Sequence, residues 1–509
     1  MSNFKALQQI AGHLGKYKLK QIDIIGNDGS ESRYTEFYNL LRDGQLEDDD
    51  AAACHFYGEN ANAQTPTYRK FKSNFLERLL NAFVFIDAAS HGLSDRQAAG
   101  IYVYRDWLKA GMLQARGLGY AYIIIAERLI TEALKFDFYD VALDLIVKIK
   151  GNIASQDGDK KLYTYYNDLY KRCYEILGLE YRARELFELI RINYVKSARF
   201  QPEQAKAACL AYEEIKPALE KYDSVNLHFY GRAIEAMQYS CINDYAKLLV
   251  AQESAISFFK RKSFECRLQL AAAYQSKLMC CIALRKYEEG EQTAIDCINM
   301  SVEGSVNWFK SLELQVMLYL HAGRYREAYD IYVMVKKNPN KSYLKETYQE
   351  MWLLLEAYLY FLISNRLIPN VDIKTADLGT FRLQKFLNDM TLYGNDKEGL
   401  NIPTLIVKII LMVSEKKEND VIDKLEALEK YRSRHIKGQG SYRTNQFIKV
   451  LEQLPITSFN AKRFENATKK YADNIKKVPV NVFEDGFKLE IVPYDIVREL
   501  MLTILVKNK

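Results

Sequence analysis

The stretch HAGRYREAYDIYVMVKKNPN, residues 321–340, decides how the whole chain is read. Gly323 can take the positive φ that ends one helix and turns the chain. Tyr325, Ala328, Ile331, Tyr332 and Val335 then recur at three- and four-residue spacing, which predicts one face of a second helix. Lys336 and Lys337 fall where they offset the negative pole of that helix, and Asn338-Pro339-Asn340 stops it. Upstream, Ser305 is placed to cap a first helix with the apolar side Trp308, Leu312, Val316, Tyr319 and Leu320. The segment reads as helix, glycine turn, helix.

Tyr319, Gly323, Tyr325, Ala328, Tyr332 and Pro339 fall on or within one residue of a known pattern, and the segment resembles the tetratricopeptide repeat. The resemblance implies that Ala328 is the small residue that lets the first helix approach, with large aromatics filling the space around it. Weaker copies of the turn occur elsewhere. Tyr139 and Ala142 stand three apart, as Tyr325 and Ala328 do; Tyr181 and Tyr245 occupy similar turns, and Tyr287 is followed by Gly290 in the small position. Tyr139 to Tyr181 and Tyr245 to Tyr287 are each 42 residues, Tyr287 to Tyr325 is 38, and Tyr181 to Tyr245 is 64. The family period is about 34 residues, so the expected array is divergent, with elongated and irregular units. The alternative is an irregular helical domain whose tyrosines recur by chance.

Composition agrees with many uninterrupted helices. The chain has 509 residues, of which only 9 are proline and 24 glycine, while 49% are hydrophobic. No run reaches the roughly 18 apolar residues of a membrane span, and the first twenty residues lack the apolar core of a secretory signal. The eight cysteines form no CxxC pair, so neither a zinc site nor a disulfide framework is expected, and a reducing cytoplasm is.

Three regions follow. Residues 1–118 read as a small N-terminal helical domain. It has a β-compatible run at Gln21–Ile25, then helices at Tyr34–Arg42, Asp48–Tyr57 and Thr67–Phe85. These three helices resemble a winged-helix core, in which Arg69, Lys70 and Lys72 would face outward from a recognition helix. The triple Asp48-Asp49-Asp50 is expected to serve the positive pole of the middle helix. Residues 119–365 are the tetratricopeptide-like array. Residues 366–509 continue as helices without visible repeat punctuation, with a minor strand where Phe487, Leu489 and Ile491 alternate. The fold class is all-α, an α-solenoid of stacked hairpins.

The formal net charge is +6, yet residues 430–477 hold twelve Lys and Arg against three acids, a local +9 that leaves the rest at −3. Within this segment, Tyr431, Arg432, Arg434, His435, Lys437, Tyr442 and Arg443 read as a basic loop with two glycines. Arginine forks, tyrosine rings and a glycine backbone suit an anion, whether an acidic protein tail, a nucleic acid or a phosphorylated ligand. A solvated turn with its cations paired to Glu426 or Glu429 is the plainer reading.

No phosphate-binding glycine loop, nucleophile turn or HExxH occurs, and the six histidines are scattered, His321 and His228 reading as packing residues. Neither a catalytic constellation, a metal site nor a cofactor is expected. Stacked hairpins offer regular rows of side chains to an extended or helical segment. The expected function is that of a cytoplasmic, non-enzymatic scaffold or adaptor binding a partner protein. A nucleic-acid-associated regulator, working through the basic loop or the N-terminal helices, is the alternative.

Overall fold

The computed structural model describes residues 4, 7–8, 11, 33–84, 94–196, 202–371, 386, 400–435, 442–478, 480 and 490–507. Among these residues the chain is all-α, without a strand, and divides into two compact units.

The first unit comprises residues 1–93 and 97–117. Its helices are α1 (Arg33–Arg42), α2 (Asp49–Tyr57), α3 (Pro66–Val84) and most of α4 (Asp95–Ala115). Four phenylalanines, Phe37, Phe56, Phe71 and Phe75, form its centre, with ring centroids 4.7–5.5 Å apart. The three aspartates divide their labour. Asp48 caps α2 by accepting from the Ala51 amide at 2.9 Å, Asp49 accepts from Tyr68 Oη at 2.7 Å and Lys72 Nζ at 2.8 Å, and Asp50 accepts from the Ala63 amide at 2.7 Å. Lys72, expected to face outward, is therefore drawn against α2, while Arg69 and Lys70 stay exposed. The run at 21–25 lies outside the described residues.

The second unit comprises residues 94–96 and 118–509. Its helices are α5 (Gly119–Lys135), α6 (Tyr139–Asn152), α7 (Lys160–Lys196), α8 (Pro202–Lys221), α9 (Val225–Ser240), α10 (Tyr245–Lys260), α11 (Arg267–Ala283), α12 (Tyr287–Asn299), α13 (Val306–His321), α14 (Tyr325–Lys337), α15 (Glu346–Ser364), α16 (Asn401–Ser414), α17 (Glu418–His435), α18 (Tyr442–Ile456), α19 (Ala461–Lys476) and α20 (Tyr494–Lys507). Consecutive helices pack on one another, and α11 also touches α13, the pattern of a solenoid of helical hairpins.

One turn recurs through this unit. In α13–α14 the first helix ends at Gly323 with φ +73°, the Arg324 amide reaches back to the Tyr319 carbonyl at 2.9 Å, and Tyr325 opens the second helix. This is a Schellman closure, whose six-residue hydrogen bond satisfies an orphan carbonyl at the helix end. The same bond joins Phe138 to Ala133, Asp244 to Tyr239, Lys286 to Cys281, Leu367 to Leu362 and Lys417 to Met412, at 2.8–3.0 Å. The left-handed residue before each is Asp137, Asn243, Arg285, Arg366 and Lys416, with φ of 57–59°. A variant joins α18 to α19, where the Phe459 amide bonds the Leu454 carbonyl and both Ser458 and Phe459 are left-handed. Of these seven turns only one carries glycine. At Asp137 and Asn243 the opening tyrosine helps, because Tyr139 Oη donates to Asp137 at 3.2 Å and Tyr245 Oη lies 3.4 Å from Asn243 Oδ1. The turn continues past residue 365, where the sequence has no visible punctuation.

One expectation is corrected, and another falls mostly outside the described residues. Tyr181 does not open a helix: it lies 59% exposed in the middle of α7, a continuous 37-residue helix. Gly178 meets no neighbour and keeps helical geometry, so nothing breaks the rod, which runs about 55 Å at 1.5 Å per residue. This helix accounts for the 64-residue gap. Of the three residues read as a strand, Phe487 and Leu489 lie outside the described residues, and Ile491 sits in a bend before α20.

Candidate functional site

The array residues lie where helices meet. Ala328 and Ala142 are fully buried, as is Tyr332, whose ring centre is 6.4 Å from that of Trp352 on α15. Tyr139, Tyr287 and Tyr325 each take the first position of a second helix and are partly buried. Gly290 is the small residue of α12. A Cβ there would stand 2.7 Å from Leu318 Cδ1 and 3.3 Å from Cys281 Cβ, so its absence lets α11 and α13 close on α12. The α9–α10 hairpin differs, with Leu248 in the place of the small residue. Tyr319 keeps its hydroxyl toward the surface, donating to Glu291 at 2.9 Å, with the Arg324 guanidinium over its ring.

Arg443 stands apart from the rest of the basic segment. Helix α17 runs on through His435, which puts Tyr431, Arg432, Arg434 and His435 on a helix, and α18 begins at Tyr442. Arg432 grips Glu429 at 2.6 and 2.8 Å and reaches Glu452 at 3.8 Å. Lys437 lies outside the described residues, and Tyr442 is exposed. Arg443 points the other way. It is 1% exposed, holds both oxygens of the fully buried Glu490 at 2.6 and 2.8 Å, and donates to the Val478 carbonyl at 2.8 Å and to the Ile475 carbonyl. Its guanidinium is committed inside the protein and cannot also grip an external anion.

Arg443 belongs to a lock drawn from five places in the chain. Glu490 also accepts from the Tyr494 amide at 3.1 Å, and its carbonyl meets His321 Nε2 at 2.7 Å. Asp495 stands 3.6 Å from Arg443 and takes Arg285, the left-handed turn residue, at 2.8 and 3.0 Å. The two arginines hold the Asp495 carboxyl below its ordinary range despite burial. Burial pushes His321 down to about 4, so it is a neutral packing residue. The sequence signal for this lock was present but ambiguous: an arginine beside a basic run gives no hint of a carboxylate 47 residues away.

A second polar centre joins the α5–α6 turn to α7 and α9. Asp137 accepts from the Val225 amide at 3.0 Å and Lys262 Nζ at 2.9 Å, and nearby Glu180 is bonded by Ser224 and Asn226. Burial pushes Glu180 up to about 7. His228 lies flat on Phe258 at 3.6 Å and bonds the Tyr222 carbonyl at 3.0 Å, an arrangement of packing.

A groove of about 510 Å³ opens across α10, α11 and α12. Tyr274 and Lys277 come from α11, Glu253 and Lys260 from α10, and Glu289 and Asp296 from α12. Lys277 bridges Glu253 at 3.0 Å and Glu289 at 2.8 Å, and Lys260 leans over the Tyr274 ring at 5.6 Å. Charges of both signs line it, while the Tyr274 ring is buried beneath Lys260, a polar lining that suits a segment with charged side chains. Sequence reasoning missed this groove because its residues come from three helices and none forms a motif.

Among the described residues no three metal-ligating side chains converge, and no helix is long and apolar enough to cross a membrane. Compared with known families, curated proteins and solved structures, the chain matches none.

Proposed function

We propose that the chain is a non-enzymatic scaffold or adaptor that binds a partner protein through its hairpin array, with a short partner segment seated in the α10–α12 groove. The observation that carries this reading is the groove itself: about 510 Å³ of open space across three successive helices, lined by charges of both signs. The stacking of hairpins supports it, since each unit repeats the same two-helix frame and frees its outer side chains for recognition. The divergent likeness to tetratricopeptide repeats points the same way. A cytoplasmic setting fits the eight free cysteines, six of them buried.

The test pairs capture with substitution. The tagged full chain is recovered from its native cell after mild crosslinking, washed at high salt and compared with a variant of unchanged thermal midpoint that alters two exposed lining residues, Lys260→Glu/Gln292→Lys. A partner protein held by the parent chain and lost from the variant is the expected result. Equal recovery from both rejects the groove, and no recovered partner from either rejects the scaffold reading.

A further inference from the structure

Helix α19 carries the densest unpaired charge in the basic segment, and its spacing is regular. Lys462-Arg463, Lys469-Lys470 and Lys476-Lys477 are three cation pairs at intervals of seven residues. Seven residues are nearly two turns, so the pairs form one stripe with steps of about 10.5 Å. All six side chains are exposed, and among the described residues none has a carboxylate within ion-pair distance. The opposite face, with Phe464, Thr468, Ala472 and Ile475, is buried.

We infer that this stripe binds the phosphate backbone of a nucleic acid duplex without reading its sequence. Charge complementarity carries the choice of occupant. A duplex presents about one negative charge per 1.7 Å of its axis, so a stripe about 21 Å long faces enough phosphates to engage every pair. Asn466 and Asp473 lie on the stripe between the cation pairs, and no apolar side chain joins them. A partner helix would gain no apolar burial there, and protein interface cores are depleted in lysine. A bilayer surface is disfavoured for the same reason, because the apolar face that would enter it is already used inside the fold. Five of the six cations are lysines, compact point charges suited to phosphate. This surface is separate from the α10–α12 groove and does not depend on the proposed scaffold role.

The experiment is fluorescence anisotropy of a labelled 24-base-pair duplex with the full chain, from 25 to 200 mM NaCl. The expected logarithmic salt slope is about −4 to −5, as for five released counterions, with little difference between unrelated sequences. Replacing all six residues by alanine weakens binding at 50 mM salt by at least about 100-fold, whereas Lys160→Ala/Lys161→Ala changes it less than about threefold. Alanine favours helix, and the triple variants 462/463/469 and 470/476/477 each lose about half the slope, so the inference stays testable if the sixfold variant unfolds. Absence of binding at 25 mM salt overturns it, as does parent-like binding by the variants. Displacement of the duplex by polyglutamate, or by phosphatidylserine vesicles, as effective as by unlabelled duplex would also overturn it, in favour of an acidic protein or a membrane.

Discussion

The α13–α14 hairpin with its neighbour α15 and the lock around Arg443 are both buried, yet they are held in different proportions: the first mainly by apolar packing with the Lys336–Glu356 and Lys310–Glu313 pairs at its margin, the second by ions at its centre. In the hairpin, Ala328, Tyr332, Val335, Trp352 and Leu355 pack without an ion pair among them. In the lock, a guanidinium, two carboxylates and an imidazole are taken out of water and must satisfy one another. Apolar packing is forgiving of partners and sensitive to volume; a buried ion network is the reverse. The hairpin thus follows a pattern that a sequence shows, and the lock follows pairings that it hides.

Four measurements break or sharpen this contrast. Trp352→Ala and Arg443→Ala should each cost about 3–5 kcal/mol in denaturant unfolding, the first through a cavity, the second by stranding Glu490. The regions part when both partners go. Arg443→Met with Glu490→Leu should recover part of the loss, because the desolvation cost of the pair disappears while the Ile475 and Val478 carbonyls and the Tyr494 amide lose their partners. Trp352→Ala with Tyr332→Ala should be worse than either alone.

Acid comes next. His321 has a folded pKa of about 4 against an ordinary 6.5, so protons prefer the unfolded chain. Its contribution is intact above about pH 6.5 and is lost as pH falls toward 4, at about 1.4 kcal/mol per pH unit. His321→Gln should flatten that slope in unfolding curves taken at pH 4.5, 5.5 and 7; an unchanged slope would place the acid sensitivity elsewhere.

The smallest effects are at the turns. Gly323→Ala should lower stability by about 1–2 kcal/mol, because a Cβ resists the left-handed region. Arg366→Gly should raise it by no more than about 1 kcal/mol, since relief of strain is partly offset by a freer unfolded chain. Equal responses at the two turns would mean that their shared φ is not what governs them.

The fold was legible wherever local chemistry is repetitive. Ser305 caps α13, Gly323 turns the chain and α14 ends at Lys337, each where the sequence puts it. Legibility failed where a residue adopts a geometry its type does not advertise. Arg285, Arg366 and Lys416 make the same left-handed turn as Gly323, and Gly178 beside Tyr181 makes none. At the candidate sites, the family resemblance pointed to Ala328, and the same spacing from a tyrosine to Ala142; both are buried, as is Tyr332, because packing follows spacing. It could not separate Arg443, inside, from the exposed cations of α19, because both are positive residues on amphipathic helices. Whether each meets a carboxylate, as Arg443 meets Glu490, is set by tertiary placement.

The lock also sets an order of events. Arg285 and Asp495 are 210 residues apart, and His321 and Glu490 are 169 apart, whereas each hairpin closes within a few tens of residues. Long closures carry more chain entropy and come later. Each rod pair should therefore form first, with the clasp snapping shut at the end, so weakening the clasp should hasten unravelling while barely slowing assembly.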